Sequence, residues 1–338
     1  MTTFVGISGF GRIGRLALKT TMERYPDQIK VVAINGRYDI QTNAHLLKHD
    51  SNFGHFGGTV EIKDDFLIIN GLPVKNTSIK ETKDIPWKDF GVDLVLECAG
   101  TLNDATKARA HIDGGGAKKV IITAPSKNED ITIVMGVNHK DYDPKKHHVI
   151  SNASCTTNCM APPAYIINKA FGIDRGMMNT IHAYTNDQVI LDLPHRDLRR
   201  ARAAALNIIP TTTGAAKALS LVIPELKDKF EGISLRVPTP TVSLADFTAT
   251  LHKNTTTEEL LGVLKEACEG PLKGIMYYDT EGLVSVDYKG NPYSSIIDAP
   301  FCQVIGGNMC KVLAWYDNEY SYSCRVSDLA YYMATKGF

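Results

Sequence analysis

No stretch of this 338-residue sequence approaches the ~20 consecutive apolar residues needed to cross a bilayer, and no basic segment with an apolar run behind it precedes the first strand-like residues. A membrane or secreted protein is therefore not expected. Neither charge is in excess: 37 Lys and Arg stand against 37 Asp and Glu, which removes the electrostatic case for nucleic acid as a partner. Seven cysteines, an odd number scattered over a long chain, argue against a disulfide framework and for a reducing, cytoplasmic setting. Repeats and low-complexity tracts are missing too. His111, His139, His147 and His148 have no neighbours that complete a metal-ligand spacing, so they read as surface residues and no metal is expected. What is left is ordinary globular composition, 43% hydrophobic and 22% charged, in a chain too long for one core. Two domains are the expectation.

The N-terminal half carries a nucleotide signal. The β-rich run Phe4-Val5-Gly6-Ile7-Ser8 leads into Gly9-Phe10-Gly11-Arg12-Ile13-Gly14, and good helix formers follow. That is G-x-G-x-x-G between a strand and a helix. Gly9 would make the tight turn, Gly11 would admit a pyrophosphate, and Gly14 would seat the helix on the sheet. A second strand, Ile29 to Ile34, ends at Asn35-Gly36-Arg37, with no carboxylate until Asp39. A carboxylate there normally grips the ribose hydroxyls of NAD. Its loss removes repulsion against a 2′-phosphate, which Arg37 can pair; otherwise Asn-Gly is a turn and Arg37 is solvated. Residues 45–90 read as a peripheral segment of short strands with a hairpin at Asn70-Gly71. Asp93 to Cys98 reads as a buried parallel strand ending at Ala99-Gly100 beside the cofactor, residues 104–111 as helix, and Lys119 to Thr123 as a further strand.

The second half is organised around Ser151-Asn152-Ala153-Ser154-Cys155-Thr156-Thr157-Asn158-Cys159, between a β-type run and an apolar helical one. A thiol at a helix start meets partial positive charge, which favours a thiolate; the alternative is a pair of small buried residues. His182 ends a strand-like run and suits a spatial Cys–His pair. The basic stretch 192–202 is a surface loop or a carrier of arginines to a phosphorylated substrate. Thr211-Thr212-Thr213-Gly214 before a helical run is a phosphate cradle or an N-cap. Residues 241–248 alternate as in an antiparallel sheet, residues 257–268 form an amphipathic helix, and a last helix lies near 318–334.

Together these motifs resemble phosphorylating glyceraldehyde-3-phosphate dehydrogenases of the bacterial or plastid type. The likeness runs from Gly6 to about Met333 and includes His182-Ala183-Tyr184-Thr185, Leu235-Arg236-Val237-Pro238-Thr239-Pro240 and Trp315-Tyr316-Asp317-Asn318-Glu319. It implies an α/β fold: an N-terminal Rossmann dinucleotide-binding domain over 1–150, an α+β catalytic domain with a mixed or antiparallel sheet over 151–315, and a C-terminal helix, 316–338, returning to the first domain. It implies that Cys155 attacks the aldehyde of glyceraldehyde 3-phosphate, that His182 lowers the thiol pKa and acts as base, and that inorganic phosphate releases the resulting thioester. By the same likeness Thr185, Arg236 and the loop arginines Arg199 and Arg202 hold the substrate phosphate, without a choice between the two loop residues. Ser154, Thr156, Thr213 and Gly214 hold the attacking phosphate. Arg12, Ile13, Asn35, Thr123 and Asn318 align with cofactor contacts, Asn318 orienting the nicotinamide amide.

Gly36 stands where NAD-dependent members carry aspartate, and Thr82 where many have an arginine near the adenine, whereas Leu193-Pro194 matches the NAD-type loop. NAD and NADP are therefore both expected. A homotetramer is implied, with loop 183–205 at a subunit interface. Erythrose-4-phosphate dehydrogenase, which hydrolyses the thioester, is the nearest rival. A binding-only protein is disfavoured by the intact Cys155 and His182, and a thiol–disulfide exchanger by the C-x₃-C spacing of Cys155 and Cys159.

Overall fold

The computed structural model describes residues 2–338. The chain divides into two compact units, one of residues 2–133, 139–153 and 323–338, the other of residues 134–138 and 154–322.

The first unit is built on a nine-stranded sheet. Its strand order is Ile131–Thr132, Val149–Ser151, Lys119–Ile122, Leu94–Glu97, Thr3–Ser8, Ile29–Asn35, Leu72–Thr77, Phe66–Ile69, Val60–Lys63. The seven strands from Ile131–Thr132 to Leu72–Thr77 run parallel, and the last two close an antiparallel hairpin at the edge. Every residue of Leu94–Glu97 and Lys119–Ile122 is buried, as expected of parallel strands covered on both faces. The order reverses at Thr3–Ser8, whose partners are Ile29–Asn35 on one side and Leu94–Glu97 on the other. Ligands of open α/β sheets bind at such a switch point, beyond the carboxyl ends of the strands.

Several expectations are revised here. Residues 60–77 are part of the main sheet, because Leu72–Thr77 pairs in parallel with Ile29–Asn35. The helix Ile40–Lys48, capped by Asp39 accepting from the Thr42 N–H, had no clear pattern in the sequence. The helix read at 104–111 is two short turns, Ala105–Ala108 and Ala110–Asp113. His111 is not a surface residue: it is fully buried, between Trp87 and Glu97, which supply its missing polar partners. His139, His147 and His148 are half-buried.

The second unit holds an eight-stranded mixed sheet, ordered Ile209–Thr212, Phe230–Val237, Ile173–Ala183, Ser243–Leu251, Met309–Tyr316, Ser295–Asp298, Met276–Asp279, with Gln303–Ile305 also paired to Met309–Tyr316. Ile173–Ala183 and Phe230–Val237 run parallel, while Ser243–Leu251 is antiparallel to both its neighbours. Buried and half-buried positions alternate strictly along Ser243–Leu251, the pattern of a sheet with one face covered. The helix Cys155–Phe171 lies on that sheet. Residue 316 ends a strand rather than opening the last helix, which starts at Tyr320. The turn between is held by buried Asp317, whose Oδ1 accepts the N–H groups of Glu319 and Tyr320.

Candidate active site

Cys155 is the first residue of the helix Cys155–Phe171, and Ser154 is its N-cap, with Ser154 Oγ accepting the Thr157 N–H at 3.0 Å. The residue before the cap, Ala153, is fully buried and sits in the left-handed region at φ 54°. A side chain there costs about 1–2 kcal/mol. Cap and strain together fix the direction in which the Cys155 thiol leaves the backbone.

His182 lies at the end of the strand Ile173–Ala183, with Nε2 3.5 Å from Cys155 Sγ. Its Nδ1 is 2.7 Å from the Ala183 carbonyl oxygen, which can only accept. With the ring proton on Nδ1, the Nε2 lone pair faces the thiol, the tautomer that a base acting on Cys155 requires. On the neighbouring parallel strand Arg236 stands in register with His182, and its guanidinium, which can only donate, contacts the same Nδ1 and donates to the Ala183 carbonyl at 3.2 Å.

The three side chains set one another's charge. Burial, then the Arg236 guanidinium, pulls His182 down to about 3. Burial pushes the Cys155 thiol up, opposed by the Arg236 charge and by the hydroxyl and N–H of Thr156. Both shifts favour the uncharged form of the group concerned. The expectation that His182 lowers the thiol pKa gives way to Arg236 and Thr156, because an uncharged ring exerts no such pull.

Two residues outside the predicted set complete the cluster. Tyr316 is fully buried, its hydroxyl 2.8 Å from Thr156 Oγ1 and 2.9 Å from Thr180 Oγ1, its ring edge-on to His182. The Thr156 hydroxyl is thereby engaged inside the protein. Ser243 Oγ accepts the Ala183 N–H and donates to Asn318 Oδ1 at 2.9 Å, which ties the strand end of His182 to the predicted amide. Hydroxyl residues at alternating strand positions were the available signal for both, but it does not set them apart from ordinary sheet residues.

The basic loop resolves in an unexpected way. Arg199 is exposed, and Arg202 is exposed and paired to Asp192 at 2.9 Å, so neither joins the cluster. Arg200, between them, has a largely covered side chain, held by Asp187 and Asp197, and its charge bears on Arg236. Thr185, three residues beyond His182, is half-buried, its N–H donating to Gln188 Oε1. Thr213 Oγ1 accepts the Ala215 N–H, and Gly214 precedes the helix Ala215–Val222 with no side-chain cap. Strand register pairs Ile209 with Arg236 and Thr212 with Ile233, so the Thr213 turn lies at least ~10 Å along the strand from the arginine.

In the first unit the glycine turn fits a pyrophosphate. Gly9 has φ +90°, and a Cβ there would lie 2.4 Å from the Ala99 nitrogen; a Cβ on Gly14 would strike the Gly9 carbonyl oxygen at 2.2 Å. Gly11 opens on free space and caps the helix Arg12–Arg24, which has neither a side-chain cap nor an acidic residue in its first turn. Ile13 lies in that first turn, while the Arg12 guanidinium pairs with Asp50 at 3.1 Å. Gly100 has φ +71°, and Thr123 Oγ1 donates to the Glu97 carbonyl. The Asn35 side chain is spent on the backbone of Ile79, donating to its carbonyl and accepting its N–H. Arg37 is exposed. Gly36 is not demanded by the backbone: its φ is not left-handed, and a Cβ would meet nothing closer than 3.6 Å.

Comparison with known proteins agrees with this architecture. Residues 3–105 match the family model for the glyceraldehyde 3-phosphate dehydrogenase NAD binding domain, and residues 154–318 match that family's C-terminal domain. The chain is 56% identical over 337 residues to the glyceraldehyde-3-phosphate dehydrogenase of Geobacillus stearothermophilus, covering 100% of both chains. It is 53% identical over 333 residues to glyceraldehyde-3-phosphate dehydrogenase 2 of Trichormus variabilis, covering 98% of each. Against the Streptomyces coelicolor glyceraldehyde-3-phosphate dehydrogenase it is 50% identical over 337 residues, covering 99% of this chain and 100% of the relative.

The charge balance predicts a pH profile for alkylation of Cys155 by iodoacetamide. Because burial raises the thiol pKa, the rate should climb with pH through a midpoint above the ordinary cysteine value of about 8.5. Arg236→Gln removes the cation that favours the thiolate, so its midpoint should move further up. A downward move would contradict this electrostatic account.

Proposed function

The chain belongs to the glyceraldehyde-3-phosphate dehydrogenase family, and on that footing we propose how its residues oxidise and phosphorylate glyceraldehyde 3-phosphate with NAD. The observation that carries the assignment of roles is Cys155 Sγ facing His182 Nε2 at 3.5 Å, beside the Arg236 charge.

Cys155 sulfur bonds to the aldehyde carbon as its proton passes to His182 Nε2, and the proton is returned to the new alkoxide to give a thiohemiacetal. When bound, the nicotinamide cofactor supplies the acceptor for the hydride that leaves this carbon. His182 takes the hydroxyl proton as the carbonyl re-forms, and Cys155 is left as a thioester. Inorganic phosphate attacks the acyl carbon, the C–S bond breaks, and 1,3-bisphosphoglycerate departs while the thiol is restored. Arg236 and Arg200, with Thr185, hold the phosphate of the substrate; Arg200 takes the part expected of Arg199 or Arg202. Thr213 and Gly214 hold the attacking phosphate, with Ser154 beside the sulfur and Thr156 serving through its N–H. Gly9, Gly11, Ile13 and Gly100 form the dinucleotide turn, with Thr123 beside them, and Asn318, held by Ser243, orients the nicotinamide amide.

We further read the protein as a homotetramer of the cytoplasm. Ile190, Leu191, Leu198, Leu206 and Ile208 are all more than two-thirds exposed on one irregular stretch, an apolar surface suited to a second copy. All seven cysteines are free thiols, as a reducing compartment requires. No helix among the described residues is long and apolar enough to cross a membrane. Sedimentation of a monomer would overturn the tetramer.

Turnover of glyceraldehyde 3-phosphate should depend on inorganic phosphate, and Cys155→Ser should abolish it while cofactor binding persists. Phosphate-independent turnover, with erythrose 4-phosphate preferred, would instead favour the hydrolytic rival.

The open Gly36 and the exposed Arg37 support NADP use beside NAD. The kcat/KM preference for NAD should stay below about a hundredfold, or about 2.7 kcal/mol. Gly36→Asp should raise it by about tenfold or more through repulsion of the 2′-phosphate. A preference already above that limit in the unaltered protein would refute dual use.

A further inference from the structure

Trp87, His111 and Glu97 form a buried polar chain in the nucleotide unit that no step above employs. Trp87 and His111 are fully buried, and Glu97 is 2% exposed. The indole Nε1–H can only donate, and it reaches His111 Nδ1 at 2.9 Å. Nδ1 therefore holds the lone pair, and Nε2–H donates to Glu97 Oε2 at 2.8 Å. The other carboxylate oxygen, Oε1, accepts the Ala99 N–H at 2.7 Å. Each bond fixes the polarity of the next.

Both ends of this chain press on the strand that carries the glycine turn. The Trp87 ring covers Gly6, where a Cβ would come within 2.7 Å of it. Ala99 backs onto Gly9, whose added Cβ would lie 2.4 Å from the Ala99 nitrogen. The segment is tied further by the Cys98 N–H donating to the Ser8 carbonyl at 2.6 Å. A buried carboxylate is costly wherever an apolar group would pack as well, so a function beyond stability is the economical account of it.

We infer that Glu97 is a positioning residue for the dinucleotide: through Ala99 it sets the wall against which the Gly9 turn closes, and His111 and Trp87 set Glu97. This rests on the cofactor reading given above.

The test is Glu97→Gln. An amide offers one acceptor where His111 and Ala99 need two, so one N–H must face another. The Kd for NAD, titrated calorimetrically on the protein without substrate, should rise about tenfold or more, the scale of one lost charged hydrogen bond. Alkylation of Cys155 without cofactor and KM for glyceraldehyde 3-phosphate should stay within about twofold, a split that general loosening would not give. In the double variant with Trp87→Phe, His111 is free to change tautomer and accept from the introduced amide, so NAD affinity should partly return.

Unchanged NAD binding in the Glu97→Gln variant overturns the inference alone. So does an equal loss in cofactor binding and Cys155 alkylation, or a double variant weaker than the single one. Failure of the unaltered protein to bind any dinucleotide overturns the cofactor reading and this one with it. If circular dichroism shows the Glu97→Gln variant unfolded, Trp87→Phe alone is compared, and affinity equal to the parent overturns the inference.

Discussion

One half-buried cation governs the chemistry of the second unit. Arg236 sits within contact of His182, and its charge acts on two neighbours with opposite consequences. It keeps the imidazole free of a second proton, so that the ring remains an acceptor, and it draws the thiol toward ionisation against the cost of burial. A His–Cys ion pair at rest would need a positive ring a few ångström from a guanidinium. Burial and the Arg236 charge both oppose that positive ring. In the proposed function the same cation holds a phosphate.

The polar groups around this cluster are largely spent on each other. Tyr316 bridges Thr156 and Thr180, and Ser243 bridges Ala183 and Asn318. These contacts are made by side chains on strands whose register is fixed over many residues, so the reacting groups are preorganised by the sheet rather than by loops. The loop contributes its arginine differently. Arg200 is directed by two carboxylates, Asp187 and Asp197, that hold it from either side.

What the sequence disclosed follows from this division. The glycine turn was legible because steric demand at Gly9 and Gly14 restricts residue choice at fixed spacing, and the switch point follows from strand order. Cys155 and His182 were legible through the motifs that carry the family resemblance, 27 residues apart though they are. The choice among Arg199, Arg200 and Arg202 was not, since it depends on where Asp187 and Asp197 fall in an irregular loop. Asn35 was placed at the right strand end, but its amide is committed to Ile79, a partner 44 residues away. His111 was misjudged for a similar reason: metal-ligand spacing gives no sign of Trp87 and Glu97, the partners that make its burial tolerable.

The pairing of His182 with Arg236 also sets where this chain can change length. Eight consecutive residue pairs, Gly176 with Phe230 through Ala183 with Val237, hold the two parallel strands in alignment. An insertion in the turn before Phe230 leaves that alignment intact and is absorbed at the surface. One residue added or removed between Phe230 and Arg236 would face His182 with Leu235 or Val237 and turn alternate side chains to the wrong side of the sheet. Gain and loss of residues are thus permitted up to the edge of the strand and forbidden within it, a boundary drawn by a single side-chain charge.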